Sequence, residues 1–242
     1  MKKIFYTIIL IFMVGISARS QVLISLLLGD KLNSDKLEFG LDGGINWSNI
    51  SNLEDSKALS GFHLGFYFDI NLKEQLYLHT GVIVKSPMGA KGLGPYPVGD
   101  ADLDSVLSNG SVNRELRYFN VPFLLKYKFN DHFFAELGPQ LGLLYKAFDE
   151  FSTDEFNKDD LIFKFKVRDQ YRRLDAGFTA GLGYRIIKGN GMNLGIRYYF
   201  GLVNILKENP GGSERNSSFY TYIGIPIGAG KARAAREASE SN

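Results

Sequence analysis

The sequence predicts an all-β protein, an eight-stranded antiparallel up-and-down transmembrane β-barrel. Three observations predict this fold. Every second residue is apolar or small over eight separate segments. Polar and ionisable residues fill the positions between them, and short and long connections alternate along the chain. The composition agrees, because 27 Gly, 19 Phe and 13 Tyr in 242 residues suit strands in close backbone contact.

Composition also excludes several classes of function. The chain has 28 Lys and Arg against 26 Asp and Glu, and a net charge of +2 gives no electrostatic footprint for nucleic acid. It has no Cys and only three His, which excludes a thiolate nucleophile and a Cys-based zinc site. We therefore predict no cofactor, no metal site and no nucleic-acid partner.

The first twenty residues have the features of a secretory signal peptide. Lys2 and Lys3 precede an uncharged stretch over 4–16, and small residues at Ala18 and Ser20 suit the cleavage site. We expect removal of 1–20 by cleavage before Gln21, followed by an N-terminal periplasmic segment over 21–36. An uncleaved anchor is the alternative, but about thirteen residues at ~1.5 Å each fall short of a ~30 Å hydrocarbon core.

Eight alternating segments define the predicted barrel over 37–227. They span 37–47, 62–70, 76–84, 119–129, 133–147, 174–186, 192–202 and 219–227. None of their alternate positions is charged, although 22% of the chain is. The interleaved positions hold acids, bases, amides and twelve glycines. A soluble lipocalin-like barrel would turn the apolar set inward, whereas a membrane barrel turns it towards lipid.

Three features favour the membrane barrel. Glycines on the polar face make room inside a tightly curled wall of eight strands. The apolar rows are long enough to cross a bilayer. Short turns alternate with long loops, as in bacterial outer-membrane barrels. The turns lie at 71–75, 130–132 and 188–190, and the loops at 48–60, 86–113, 147–171 and 203–215. We therefore predict an outer-membrane location, with outer-membrane lipids, lipopolysaccharide and the barrel insertion machinery as partners.

Charged residues inside an eight-stranded barrel must pair, because side chains fill its interior. The predicted lumen polar network comprises Asp42, Asp69, His79, Lys126, Glu136, Asp175, Arg185 and Arg197. Hairpin geometry predicts three cross-strand pairs, which are Lys126 with Glu136, Tyr67 with His79, and Asp69 with Tyr77. We interpret these pairs as structural.

Catalysis is the alternative interpretation of the lumen. Lipid hydrolysis by a small barrel needs a Ser within reach of a His. His63 and His79 are separated by roughly 13 Å in the predicted register, and no lumen Ser adjoins either of them. We assign no catalytic residue.

The long loops carry the functional hypothesis. Residues 88–97 are rich in Gly and Pro, which predicts a mobile surface loop rather than a phosphate loop. The acidic group from Asp149 to Asp160 fails the EF-hand spacing and is interpreted as solvated. Residues 161–168 alternate again, which predicts a projecting hairpin that begins the sixth strand. Its cations either meet anionic lipopolysaccharide or keep the hairpin soluble.

Two features fit a closed barrel poorly. Pro122 and Pro139 each remove a backbone donor, so we expect a bulge or a missing hydrogen bond there. Outer-membrane barrels usually finish on an aromatic residue, whereas this chain continues over 228–242. We expect that tail to be a disordered periplasmic extension.

Three segments of the sequence resemble the PorT-like outer-membrane β-barrel family of Bacteroidetes. They are KLEFGLDGGINWS at 36–48, NVPFLLKYKF at 120–129 and DAGFTAGLGYR at 175–185. The resemblance implies an outer-membrane barrel and raises a role in assisting type IX secretion. The leading hypothesis is a non-enzymatic envelope scaffold or surface-interaction protein that acts through its long extracellular loops. A secretion accessory, a lipid-modifying enzyme and a narrow channel are the alternatives.

Overall fold

The computed structural model describes residues 36–53, 56–153, 161–186, 191–208 and 212–227. The predicted signal peptide, the periplasmic segment up to residue 35, the turn at 188–190 and the C-terminal tail lie outside the described residues. The strands are β1 (Leu37–Ile50), β2 (Lys57–Lys73), β3 (Leu76–Lys85), β4 (Pro87–Leu93), β5 (Ser111–Lys128), β6 (Phe133–Thr153), β7 (Leu161–Lys166), β8 (Leu174–Arg185), β9 (Asn193–Gly201) and β10 (Asn216–Pro226). Helix α1 spans Ala101–Leu107, and a 3-10 helix spans Arg168–Gln170.

Eight of these strands form a closed antiparallel barrel. Their order is β1, β2, β3, β5, β6, β8, β9 and β10, and β10 pairs with β1 to close the ring. The predicted fold class is therefore confirmed. Among the described residues, no helix has the length and apolar character needed to cross a bilayer.

The two faces of the wall carry opposite chemistry. Large apolar side chains point outward, and Leu174, Leu137 and Leu182 are each more than half exposed. Ionisable side chains point inward, and Asp42 and Lys126 are 3% and 1% exposed. This orientation is that of a membrane barrel and the reverse of a lipocalin-like one.

Short turns lie at the end of the barrel where the described chain begins. Only Glu74 and Gln75 connect β2 to β3, and Glu74 adopts a positive φ of 42°. In the β5–β6 turn, the Asn130 side chain accepts hydrogen bonds from the backbone N–H groups of His132 and Phe133, at 2.8 Å each. The connections that contain β4, α1 and β7 lie at the other end.

One of the three predicted cross-strand pairs is confirmed. Lys126 lies opposite Glu136, as predicted. The other two are wrong, because Asp69 lies opposite His79 and Tyr67 lies opposite Gly81. The β2–β3 turn is shorter than the 71–75 segment predicted, and the register shifts between Asn71 and Lys73. Because of these two differences, every residue of β2 that pairs with β3 lies opposite a different residue from the one predicted.

One prediction about the loops is wrong, and a second is confirmed only in part. The segment predicted as mobile begins with β4, which pairs with β2 and β5, and its Met88 and Ala90 are fully buried. Residues 161–166 form β7, which pairs with β6 but is separated from β8 by the 3-10 helix. The hairpin therefore projects as a separate strand and does not begin β8. Above the membrane the outer face is polar and the inner face apolar, so a search for apolar outward rows misses β4.

Both prolines coincide with gaps in the strand pairing. The β5–β6 ladder is interrupted between Pro122 and Leu125, and Pro139 lies opposite this gap. The register is the same on both sides of it. The expected local loss of hydrogen bonds is therefore confirmed, without a bulge.

Several glycines on the lumen face lie directly beneath aromatic rings of the neighbouring strand. Three rings cover the glycine directly opposite on the next strand, namely Tyr67 over Gly40, Phe134 over Gly183 and Tyr222 over Gly195. A Cβ atom at any of these glycines would overlap the ring. The glycines therefore let large side chains lie flat against the wall.

Candidate functional site

Arg197 is the centre of the lumen polar network. Its Nη1 donates to Asp42 at 2.7 Å, its Nε donates to Glu136, and its Nη2 lies 3.0 Å from His79 Nε2. The guanidinium also lies 3.8 Å from the centroid of the Tyr222 ring. Arg197 is only 5% exposed, so these contacts replace its hydration.

A second cation, Lys126, joins the network through Asp69. Its Nζ donates to Asp69 Oδ2 at 2.7 Å and lies 4.0 Å from the centroid of the Phe134 ring. Asp69 Oδ1 lies 2.6 Å from His79 Nδ1. His79 thus bridges the Lys126 and Arg197 clusters, in an arrangement that suits a neutral ring donating from Nδ1 and accepting at Nε2.

Arg185 forms the ion pair nearest the short turns. Its Nη2 donates to both carboxylate oxygens of Glu38, at 2.5 and 2.6 Å, and its Nε donates to Asn193 at 3.1 Å. Tyr67 also donates to Glu38, at 3.2 Å. The predicted network omits Glu38, although Glu38 falls in the same alternation as Asp42 and that pattern would have found it.

The remaining predicted residue, Asp175, stands apart from the network. It is 2% exposed and accepts a hydrogen bond from Asn216 at 2.8 Å. No described cation lies within ion-pair distance of it. The structure therefore links six of the eight predicted residues around Arg197 and Lys126, places Arg185 in a separate ion pair with Glu38, and leaves Asp175 apart from both groups.

An apolar cluster fills the extracellular half of the lumen. It consists of Ile50, Met88, Ala90, Leu116, Tyr118, Leu144, Ala147, Val167, Tyr171, Tyr199, Ile205 and Tyr220. Val167, Tyr171 and Ile205 come from connections between strands. Sequence reasoning missed this apolar plug because it expected a polar inner face along the whole barrel, whereas most of these residues lie on strands whose inner face is apolar at this end.

Above the plug, a buried ion pair anchors the long loops. Arg114 donates from Nε and Nη2 to the two oxygens of Asp149, at 2.9 and 2.7 Å. Tyr96 donates to the same carboxylate at 2.6 Å, and burial raises the pKa of Tyr96. Asp149 is fully buried, so its prediction as a solvated acid is wrong.

This ion pair lies within what we call the extracellular platform, which is α1 and residues 94–98 on the upper parts of β5, β6 and β7. The platform has its own apolar core of Leu107, Val112 and Phe151. Asp100 caps α1 by accepting from the backbone N–H groups of Asp102 and Leu103. Among the described residues, no group of His, Asp and Glu is arranged to hold a metal ion.

Comparison with known proteins decides the family. Residues 29–207 match the family described as the outer membrane protein beta-barrel domain. The chain belongs to this family. It is therefore a protein of the bacterial outer membrane, as the alternating pattern predicts.

Three solved structures are similar to this outer-membrane barrel. Ail, the attachment invasion locus protein of Yersinia pestis, is 11% identical with a TM-score of 0.42, over 79% of this chain and 99% of Ail. Neisserial surface protein A is 10% identical with a TM-score of 0.37, over 78% and 96%. OprG of Pseudomonas aeruginosa is 10% identical with a TM-score of 0.35, over 81% and 95%. No curated protein sequence matches the chain.

The outward face of large apolar side chains, which includes Leu137, Leu174 and Leu182, forms what we call the apolar band of the outer-membrane barrel. Aromatic pairs lie at both ends of this band. At the extracellular end, the Phe119 and Tyr145 rings stack with centroids 4.5 Å apart. At the turn end, the Phe133 and Tyr184 rings meet edge to face at 4.9 Å. Aromatic residues prefer the two interfaces of a bilayer, so these pairs mark the membrane levels.

Glu214 provides a pH test of the extracellular loops. Burial raises the pKa of this carboxyl, Arg114 lowers it and Asp149 raises it, and Glu214 Oε2 has no hydrogen-bond partner among the described residues. A raised pKa favours the neutral form, so the stability that Glu214 contributes is complete at low pH and is lost as the pH rises through that pKa.

Glu214→Gln keeps this side chain neutral at every pH. We expect the melting temperature of the variant at pH 8 to equal or exceed that of the wild type by up to about 2 °C. The difference should shrink at pH 4. Thermal unfolding in detergent at the two pH values measures it, and a variant less stable than wild type at pH 8 would contradict the prediction.

Proposed function

We propose that this outer-membrane barrel is a non-enzymatic envelope scaffold or surface-interaction protein that acts through its extracellular platform. The observation that carries the proposal is the contrast between its two halves. The ion pairs around Arg197 and the apolar plug fill the lumen, whereas α1 and β7 extend the barrel above the membrane. A packed interior leaves no open path for solutes, and a structured exterior offers a surface to a binding partner, so the barrel is better suited to binding than to solute transport.

The platform can be removed without opening the wall. Leu93 and Val112 lie opposite each other on β4 and β5, so a short Gly-Ser linker can replace residues 94–110. We expect this variant to fold and to migrate in gels as a heat-modifiable barrel. In a deletion strain it should fail to restore envelope integrity, scored as resistance to detergent and EDTA.

A control variant carries the same linker between Glu74 and Gln75, at the opposite end of the barrel. It should complement the deletion strain fully. Full complementation by the platform-deleted barrel would refute action through the platform.

Conductance separates the scaffold from the narrow channel. We expect the purified protein to produce no discrete current steps in planar bilayers, because ion pairs and apolar side chains fill its centre. A monomeric porin reconstituted in parallel controls for insertion. Reproducible unitary steps from the folded protein would favour the channel.

The resemblance to PorT-like barrels supports a second candidate, an accessory to type IX secretion. Loss of secreted proteins from the culture medium of a deletion strain, measured by mass spectrometry, would favour it over the scaffold. The lipid-modifying enzyme is a third possibility, against which we note that no serine among the described residues is hydrogen-bonded to His63 or His79. An altered lipid A mass spectrum in the deletion strain would favour the enzyme.

A further inference from the structure

Cations crowd one outward patch above the membrane, on β5, β6 and β7. Arg117 lies directly opposite Lys146, and Lys166 lies opposite Phe148, two residues further along β6. Lys164 lies two residues from Lys166 on the same face of β7. Arg117 and Lys164 approach the Phe148 ring, at 5.0 and 5.2 Å from its centroid.

Two of these four cations have acidic partners and two do not. Arg117 pairs with Glu115 at 2.6 Å, and Lys164 pairs with Glu150 at 3.0 Å. Lys146 and Lys166 are exposed and make no ion pair among the described residues. With four cations and two acidic partners, this patch has an excess of positive charge. Arg117 and Lys146 also repel each other across the paired strands, and a bound anion would relieve that repulsion.

The height of the patch restricts what that anion can be. On β5, Arg117 lies two residues above Phe119, and on β6, Lys146 follows Tyr145. Phe119 and Tyr145 form the stacked pair at the extracellular end of the apolar band. The cations therefore lie one step above the acyl chains, at the level of the lipid headgroups of the outer leaflet.

We propose that Arg117, Lys146 and Lys166 bind a phosphate group of a lipid A-type glycolipid in the outer leaflet. The acyl chains of that lipid lie against the apolar band, and its phosphate meets the three cations. This lipid site goes beyond the proposed surface role and depends only on the outer-membrane location. Evidence against the lipid site therefore does not contradict the proposed surface role, and evidence against the surface role does not contradict the lipid site.

The test uses the full barrel in nanodiscs of zwitterionic lipid, titrated with bisphosphorylated lipid A or with the same lipid after dephosphorylation. Native mass spectrometry counts the bound glycolipid. We expect the wild type to bind the phosphorylated form about tenfold more tightly than the dephosphorylated form. In Lys146→Gln/Lys166→Gln the preference should fall to about twofold or less.

Lys57→Gln/Lys91→Gln is the matched control, because Lys57 and Lys91 are also exposed and directly opposite each other, on β2 and β4. This variant should keep the wild-type preference. Heat-modifiable migration verifies that all three proteins are folded.

Three results would overturn the proposal. They are a wild type with no preference for phosphate, a Lys146/Lys166 variant that keeps it, and a control variant that loses it equally. A fourth arm titrates inorganic phosphate. Free phosphate that competes with lipid A at equal concentrations would assign the patch to a soluble anion and overturn the lipid assignment. A need for a large excess of phosphate supports the lipid, because its acyl chains add affinity that free phosphate lacks.

Discussion

Replacing Arg197 with Met is expected to cost the barrel about 3 to 5 kcal/mol of unfolding free energy. The change leaves Asp42 and Glu136 as buried carboxylates without their shared guanidinium. It also removes the donor to His79 Nε2 and the cation over the Tyr222 ring. The loss is large because Asp42 and Glu136 are almost completely buried, and a buried charge that loses its partner keeps its full desolvation cost.

Urea unfolding of the barrel in lipid vesicles measures this loss, with fluorescence of Trp47, the single tryptophan, as the probe. Arg215→Met is the matched control, since Arg215 is exposed and its side chain makes no ion pair among the described residues. The control should unfold at the wild-type urea concentration. Equal stability of the two Met variants would show that the contacts of Arg197 do not stabilise the folded barrel.

A compensated variant keeps the prediction testable if Arg197→Met fails to fold. Adding Asp42→Asn and Glu136→Gln removes the orphaned charges, and replacing every member of a buried ionic cluster by neutral groups is often close to neutral. We expect this triple variant to recover most of the lost stability. No recovery would indicate that packing of the arginine stem, rather than its charge, supports the lumen.

The sequence predicts the membrane-spanning part of the fold well, because lipid on one side and a packed polar lumen on the other impose strict alternation. Outside the membrane this constraint ends. Val112 and Leu116 point into the extracellular platform and the plug, while Arg117 on the same strand points outward. The alternation continues there, but the outward residues are polar and the inward residues are apolar, so β4 and the upper parts of β5 and β6 were predicted as loops.

Membership of the lumen network follows from alternation, but its partners do not. Lys126 faces Glu136 in the hairpin register, yet its Nζ bonds Asp69, while Glu136 bonds Arg197. Long side chains in a narrow barrel reach across the lumen to strands that are distant in sequence. Register relates only neighbouring strands, so these bonds require the closed ring.

Gly44→Ala is expected to destabilise the barrel by about 2 to 3 kcal/mol, although it adds a single methyl group. Gly44 lies opposite Tyr222, where β1 and β10 close the ring. A Cβ atom at Gly44 would overlap the backbone carbonyl oxygen of Thr221, which cannot rotate away as a side chain can. The two strands would have to separate at the closure.

Gly224→Ala on β10 is the matched control. A Cβ atom there would lie 3.4 Å from its nearest neighbours, in Asn193 and Tyr67, which is ordinary van der Waals contact. Because alanine restricts the unfolded chain more than glycine does, this variant should match the wild type or gain up to about 1 kcal/mol. The same substitution is thus expected to have opposite signs at two positions on paired strands.

Urea unfolding in vesicles compares the two glycine variants directly. If Gly44→Ala proves as stable as Gly224→Ala, the strands at the closure separate at little cost, and glycine at position 44 serves some purpose other than close approach. If both variants are destabilised equally, the lumen rejects any added volume, and the contact at Thr221 has no special weight. Only a difference of the predicted sign supports a ring whose closure depends on the absence of a side chain at Gly44.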